Sequence, residues 1–205
     1  MTGRFASLLK SRQASSAAEF ALVLPLLILF LFGILDVGRY MWALNRAEKA
    51  TQMGVRYAVV SDPVATVVNT DFVDDYSIPG GDVVPAAVFT SASCTNSGNC
   101  TVTGSASGVN GRNAVAFDAI VAWMRKFYPE LQASNVRIIY ENVGLGYSGD
   151  PTGPDVAPLI TVELTGLTFP ALVLFGGSVG LPDITASLTL EDGECSITGD
   201  CGSSN

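Results

Sequence analysis

The sequence predicts an α+β protein in which a long N-terminal helix packs on an antiparallel β-sheet, with a second short helix and disulfide loops. Three observations carry this. Phe20 to Leu35 (FALVLPLLILFLFGIL) contains no polar side chain. A helical spacing of apolar residues continues beyond that run to about Ser61. After Pro129 the period changes to two, in β-branched-rich runs separated by Pro- and Gly-bearing loops.

The helix comes first. Ser15 to Leu35 is 21 residues, which at about 1.5 Å rise each span roughly the 30 Å of a hydrocarbon core. A cleaved secretory signal would be followed by an A-x-A-like site, and DVGRYMWALNR offers none. A soluble core helix of this length with no polar face does not suit so small a domain. A membrane helix is therefore expected over 15–36. Beyond it Leu44, Ala47, Thr51, Gly54 and Tyr57 recur at steps of three and four, while Arg46, Glu48, Lys49, Gln52 and Arg56 take the other sides. Asp62 and Pro63 then end the helix. Pro25 removes one backbone hydrogen bond inside it, so a kink or local unwinding is expected there. Asp36 and Arg39, three apart at the membrane exit, are placed either to pair on one helix face or to anchor at the interface.

The cysteines set the compartment. Cys94 and Cys100 (CTNSGNC) and Cys195 and Cys201 (CSITGDC) form two pairs of identical spacing, each enclosing a Gly with Asn or Asp that lets a tight loop close. Local disulfides are the reading, although four cysteines permit three connectivities. Zinc is disfavoured, because there is no C-x-x-C spacing and no histidine. Disulfides require an oxidising compartment, which puts everything after Leu35 outside the cytoplasm. The positive-inside rule does not decide, because Arg4, Lys10 and Arg12 before the apolar run are balanced by Arg39, Arg46 and Lys49 after it. Four segments result: a basic leader at 1–14, a transmembrane helix at 15–36, its periplasmic continuation at 37–61, and a periplasmic α+β head at 62–205.

Within the head, 62–112 reads as loops with a few short strands. Asn113 is placed to cap a helix over AVAFDAIVAWMRKFY, ended by Pro129. Val136 to Val143, Leu159 to Leu164 and Ile184 to Leu190 are the expected strands. Phe169 to Phe175 (FPALVLF) is too short to cross a membrane and is read as core or as a surface-seeking segment.

The chemistry-bearing strings are weak. Gly144, Gly146 and Gly149 match G-x-G-x-x-G, but DPTGPDVAP follows and cannot open the phosphate-binding helix. Gly176, Ser178 and Gly180 match G-x-S-x-G in a chain without histidine, and are read as a turn. Asp71, Asp74, Asp75 and Asp82 offer oxygens to calcium in a spacing that matches no EF-hand. From Tyr57 onward 16 acids face 4 bases, a net of −12, which argues against nucleic acid. The chain is read as a non-enzyme with no cofactor, no metal site and no small-molecule substrate.

A short basic leader, then SSAAEF with Glu19 and Phe20, then ALVLPLL, then FGILDVGR at 32–39 resembles the TadE-like pseudopilins of the tight-adherence (Flp) pilus. The likeness covers residues 12 to about 61, with a weaker one at ITASLTLED (184–192). It implies a pilin-like fold in a single-pass protein of the bacterial inner membrane, with its N-terminus cytoplasmic. It also implies removal of the leader by a prepilin peptidase between Ala14 and Ser15, Ala14 standing where the family pattern has Gly. The implied partners are that peptidase, other pilins and pseudopilins, and the assembly platform. Cleavage would give Ser15 an α-amino group with a pKa near 8. Two unit charges about 4 Å apart attract by roughly 4 kcal/mol at an effective dielectric of about 20, so Glu19 would pair with the new terminus of a neighbouring subunit. The simpler alternative leaves Glu19 stabilised by the helix dipole or snorkelling to headgroups.

Overall fold

The computed structural model describes residues 12–150, 153–171 and 177–190, with side chains from Ser16 onward. Two compact units are present: the helix up to Ala43 with Thr168–Gly180, and Leu44–Leu167 with the chain from Leu181. Helix α1, Arg12–Ala58, runs unbroken for 47 residues. It closes three residues before the expected Ser61, as Val59 N–H bonds Val55 O and Val60 N–H bonds Tyr57 O. The Asp62–Pro63 step keeps the following chain out of the helical region.

In the larger unit, α1 presents Ala47, Ala50, Thr51, Gly54, Val55 and Ala58 as its buried face. These are mostly small residues, shifted slightly around the helix from the expected stripe, so Leu44 and Tyr57 are only half-buried. Small side chains let a neighbouring helix approach closely; after the short α2, Phe72–Tyr76, that neighbour is α3, Ala114–Arg125. Asn113 caps α3 by accepting the Ala116 N–H, and Ala116, Phe117, Ile120, Val121 and Met124 form its buried face. The helix ends before Phe127 and Tyr128, which the sequence reading included; their amides turn back to Met124 O. Tyr57 stacks on Trp123 at 5.4 Å between centroids, and Arg46 Nε donates to Phe127 O at 3.2 Å.

The sheet of this unit has five strands in the order β2-β1-β3-β4-β7: β1 Ser91–Cys94, β2 Thr101–Thr103, β3 Val136–Glu141, β4 Leu159–Leu164 and β7 Ile184–Thr189. Every pairing is antiparallel. The period of two holds: Val136, Ile138 and Tyr140 of β3 face Ile160, Val162 and Leu164 of β4 within the core, while Arg137 and Glu163 pair on the other side at 3.4 Å. β3 stops at Glu141 rather than Val143; Asn142 still donates its amide to Thr90 O just before β1, while its side chain donates to Val84 O and Phe89 O. β1 and β2 form a hairpin whose connection is closed by the Cys94–Cys100 disulfide. Cys195 and Cys201 lie outside the described residues. The smaller unit contains a two-stranded sheet, β5 Thr168–Pro170 with β6 Ser178–Gly180.

Candidate functional site

From Phe20 to Leu35, large apolar side chains stand exposed on every side of α1, including Phe20, Leu22, Leu26, Leu29, Phe30 and Ile34. By length and composition α1 is long and apolar enough to cross a membrane, and among the described residues it is the one helix that is. An apolar surface of this extent is characteristic of contact with lipid or with other apolar helices. Glu19 and Phe20 lie exposed at its start. The backbone is helical at Ala14 and Ser15 and continues as helix through Pro25.

One polar cluster interrupts this surface. Asp36 is buried, only 1% exposed, and lies 3.6 Å from Arg39 Nη1, so the two residues singled out by their spacing do meet. An unpaired buried carboxylate would cost several kcal/mol, on the order of what breaking a buried pair costs. The Arg39 guanidinium in turn lies over the Phe169 ring at 5.1 Å. Phe169 meets Tyr40 edge-on at 5.8 Å, and the Tyr40 hydroxyl donates to Gly180 O at 3.4 Å. Asp36, Arg39 and Tyr40 of α1 are thereby tied to β5 and β6 of the same unit. The sequence singled out Phe169 within the apolar run FPALVLF and Gly180 within an expected turn, but placed neither beside α1, and Tyr40 carried no signal.

The remaining motifs have structural roles. Ser178 and Gly180 belong to strand β6, not to the expected turn, because Thr168–Pro170 offers that segment a hydrogen-bonding partner. Gly144, Gly146 and Gly149 form a loop at positive φ, and a Cβ on Gly146 would come within 2.8 Å of Ala157 N and Asp155 O. Ser148 of that loop donates to Pro79 O and Asp82 O. Asp155, which carried no signal in the sequence, is buried and accepts N–H groups from Phe72, Gly149 and Asp150. Asp71 caps α2 by accepting the Val73 and Asp74 amides. No group of three or more Asp, Glu, Cys or His side chains able to hold a metal occurs among the described residues.

The family model described as TadE-like protein matches residues 14–56. The N-terminal helix is similar to the TadE-like family. The match spans 43 of the 205 residues and is nearly coextensive with α1, so it says what the helix is similar to and leaves the head to be read from its own structure. No curated protein and no solved structure matches the chain. Glu19, Phe20, Pro25, Asp36 and Arg39 all fall inside the TadE-like segment, as does the Ala14–Ser15 bond.

Proposed function

We propose that this chain is a minor pseudopilin-like component of a tight-adherence pilus, anchored in the bacterial inner membrane by α1, with its head in the periplasm. The observation that carries the reading is the near coincidence of the TadE-like match with a single helix that is apolar and exposed over its first half. In its second half the same helix supplies a small-residue buried face. A pilin-like subunit needs such a helix, one part for the bilayer and for neighbouring helices, the other to carry a folded head. The disulfide closing the β1–β2 connection agrees with an oxidising periplasm. A prepilin peptidase would cut between Ala14 and Ser15, and the backbone there, helical in this structure, would have to unwind locally to enter a protease.

Sequencing the N-terminus of the protein isolated from membranes tests this. A mature chain beginning at Ser15 with a free amine is expected. An intact Met1 or Thr2 end would favour the rival reading, a single-pass membrane-anchored binding or sensor domain that keeps its leader.

A further inference from the structure

We propose that the β5–β6 hairpin is a second membrane-associated element, inserted in the outer interfacial layer of the bilayer against α1. The proposal rests on reading α1 as membrane-spanning and adds a lipid contact made by the head's own sequence.

The hairpin is an excursion between β4 and β7, which are neighbours in the five-stranded sheet. It leaves that sheet and belongs to the compact unit of the apolar helix. Its described residues, Thr168–Ala171 and Gly177–Gly180, carry no charge, although the chain from Tyr57 onward has a net of −12. Such a segment suits a lipid interface far better than it suits an acidic, solvated surface. Its backbone is paired internally, Thr168 to Pro170 against Gly180 to Ser178, with Ala171 N–H on Gly177 O at 3.0 Å. A two-stranded hairpin still has open edges, which excludes the hydrocarbon centre and favours the interfacial layer, where water and headgroups reach them.

The helix beside it shows where that layer lies. Exposed apolar side chains do not stop at Asp36; Val37, Met41 and Trp42 continue them, with Trp42 63% exposed. Phe20 to Trp42 is 23 residues, about 34 Å of helix at roughly 1.5 Å each, enough for the hydrocarbon core and part of one interface. Tyr40 and Trp42 then take the place of an interfacial aromatic belt. Asp36 falls about one and a half turns inside that level, at roughly 3.6 residues per turn. A carboxylate facing lipid there would be costly, and this one is buried and paired with Arg39, whose guanidinium rests on Phe169 of the hairpin. The hairpin thus supports, through Phe169 and Arg39, the one acid of this surface, and its two strands bring no charge to that level.

The chain's two tryptophans, Trp42 and Trp123, make the test direct. The full-length protein is reconstituted in phosphatidylcholine vesicles whose acyl chains carry bromine near the headgroup or near the chain end. Trp42 alone, in Trp123→Phe, is expected to lose most of its emission to the shallow bromines. Trp123 alone, in Trp42→Phe, is expected to keep it. Single emitters are then placed on the hairpin, Ser178→Trp or Val179→Trp in the background lacking both native tryptophans. These adjacent residues point to opposite faces of β6, and disulfide closure at Cys94 and Cys100 reports that each variant is folded. Strong shallow quenching of either hairpin emitter supports the proposal. If Trp42 is quenched and both hairpin emitters are not, the hairpin is not in the bilayer and the proposal falls, while the membrane reading of α1 stands. If Trp42 is not quenched, both fall.

Discussion

A Cβ atom on Gly54 of α1 would lie 2.7 Å from both Cγ and Sδ of Met124 on α3. Met124 is fully buried, so its side chain has little room to withdraw. Glycine inside a helix ordinarily costs about 1 kcal/mol relative to alanine, and Gly54 is retained because the two helices pack without a side chain between them. Gly54→Ala gains that propensity but overpacks the contact, at typically 1–3 kcal/mol. A net fall in stability is expected, larger for Gly54→Val. Chemical denaturation of Gly54→Ala, Met124→Ala and the double variant checks this: the double variant should lose less than the sum of the two single losses. Additive losses would show that the residues do not press on each other.

Tyr140 lies in the centre of β3, and its hydroxyl oxygen accepts the Val64 N–H at 2.8 Å. Tyr140→Phe leaves that buried amide without a partner, at a cost of about 1–3 kcal/mol. The same burial raises the Tyr140 pKa well above its ordinary value of 10, desolvation outweighing the hydrogen bond from Val64. The folded state therefore holds the proton more tightly than the unfolded state. The stability linked to this group is complete below about pH 10, the ordinary tyrosine value, and is lost progressively as pH rises above it. Denaturation curves from pH 8 to 11 should show a steep alkaline loss in the parent protein and a shallower one in Tyr140→Phe. Tyr128, also raised by burial, contributes the same sign and remains in both.

Asp155 fastens the loop Gly144–Asp150 to the start of α2: one carboxylate oxygen takes the Phe72 amide at 2.8 Å, the other the Gly149 amide at 2.8 Å. Asp155→Ala strands the buried Phe72 amide and releases the part-buried Gly149 amide, and hydrogen bonds to charged groups contribute about 1.5–3 kcal/mol each. Amide hydrogen exchange at Phe72 and Gly149 should accelerate strongly, with little change in β3 and β4. Uniform acceleration across the sheet would mean that Asp155 governs global rather than local stability.

What the sequence could and could not disclose follows from the range of the interactions. β4 coincides with its expected span because alternation and flanking turns are local signals, and Asn113 disclosed α3 because a cap acts within one turn. β1 and β2 were legible only as a few short strands without bounds, because their Ser- and Thr-rich sequences have weak patterning and β1 depends on pairing with β3, more than forty residues on, and β2 on β1. The pairing of Asp36 with Arg39 was legible, being one helical turn apart. The contact of Arg39 with Phe169 spans most of the chain and leaves no periodic trace. Asp155 looked like one loop acid among many, since its three donors are brought to it only by the fold.

Glu19 gives the sharpest functional contrast. It is exposed at the start of the apolar surface of α1, within the TadE-like segment. If it pairs with the α-amino group of Ser15 on a neighbouring subunit, the attraction needs its charge. Glu19→Val and the nearly isosteric Glu19→Gln should then both insert normally in the membrane, both be cut at Ser15, and both fail in pilus assembly. If Glu19 serves only through the helix dipole or by reaching headgroups, its loss alters about 0.3–1 kcal/mol of helix-end stabilisation, and piliation should survive either change. Counting pili by electron microscopy in cells that carry each variant, alongside membrane fractionation and N-terminal sequencing, separates the two. Normal piliation with Glu19→Gln would eliminate the intersubunit charge pair.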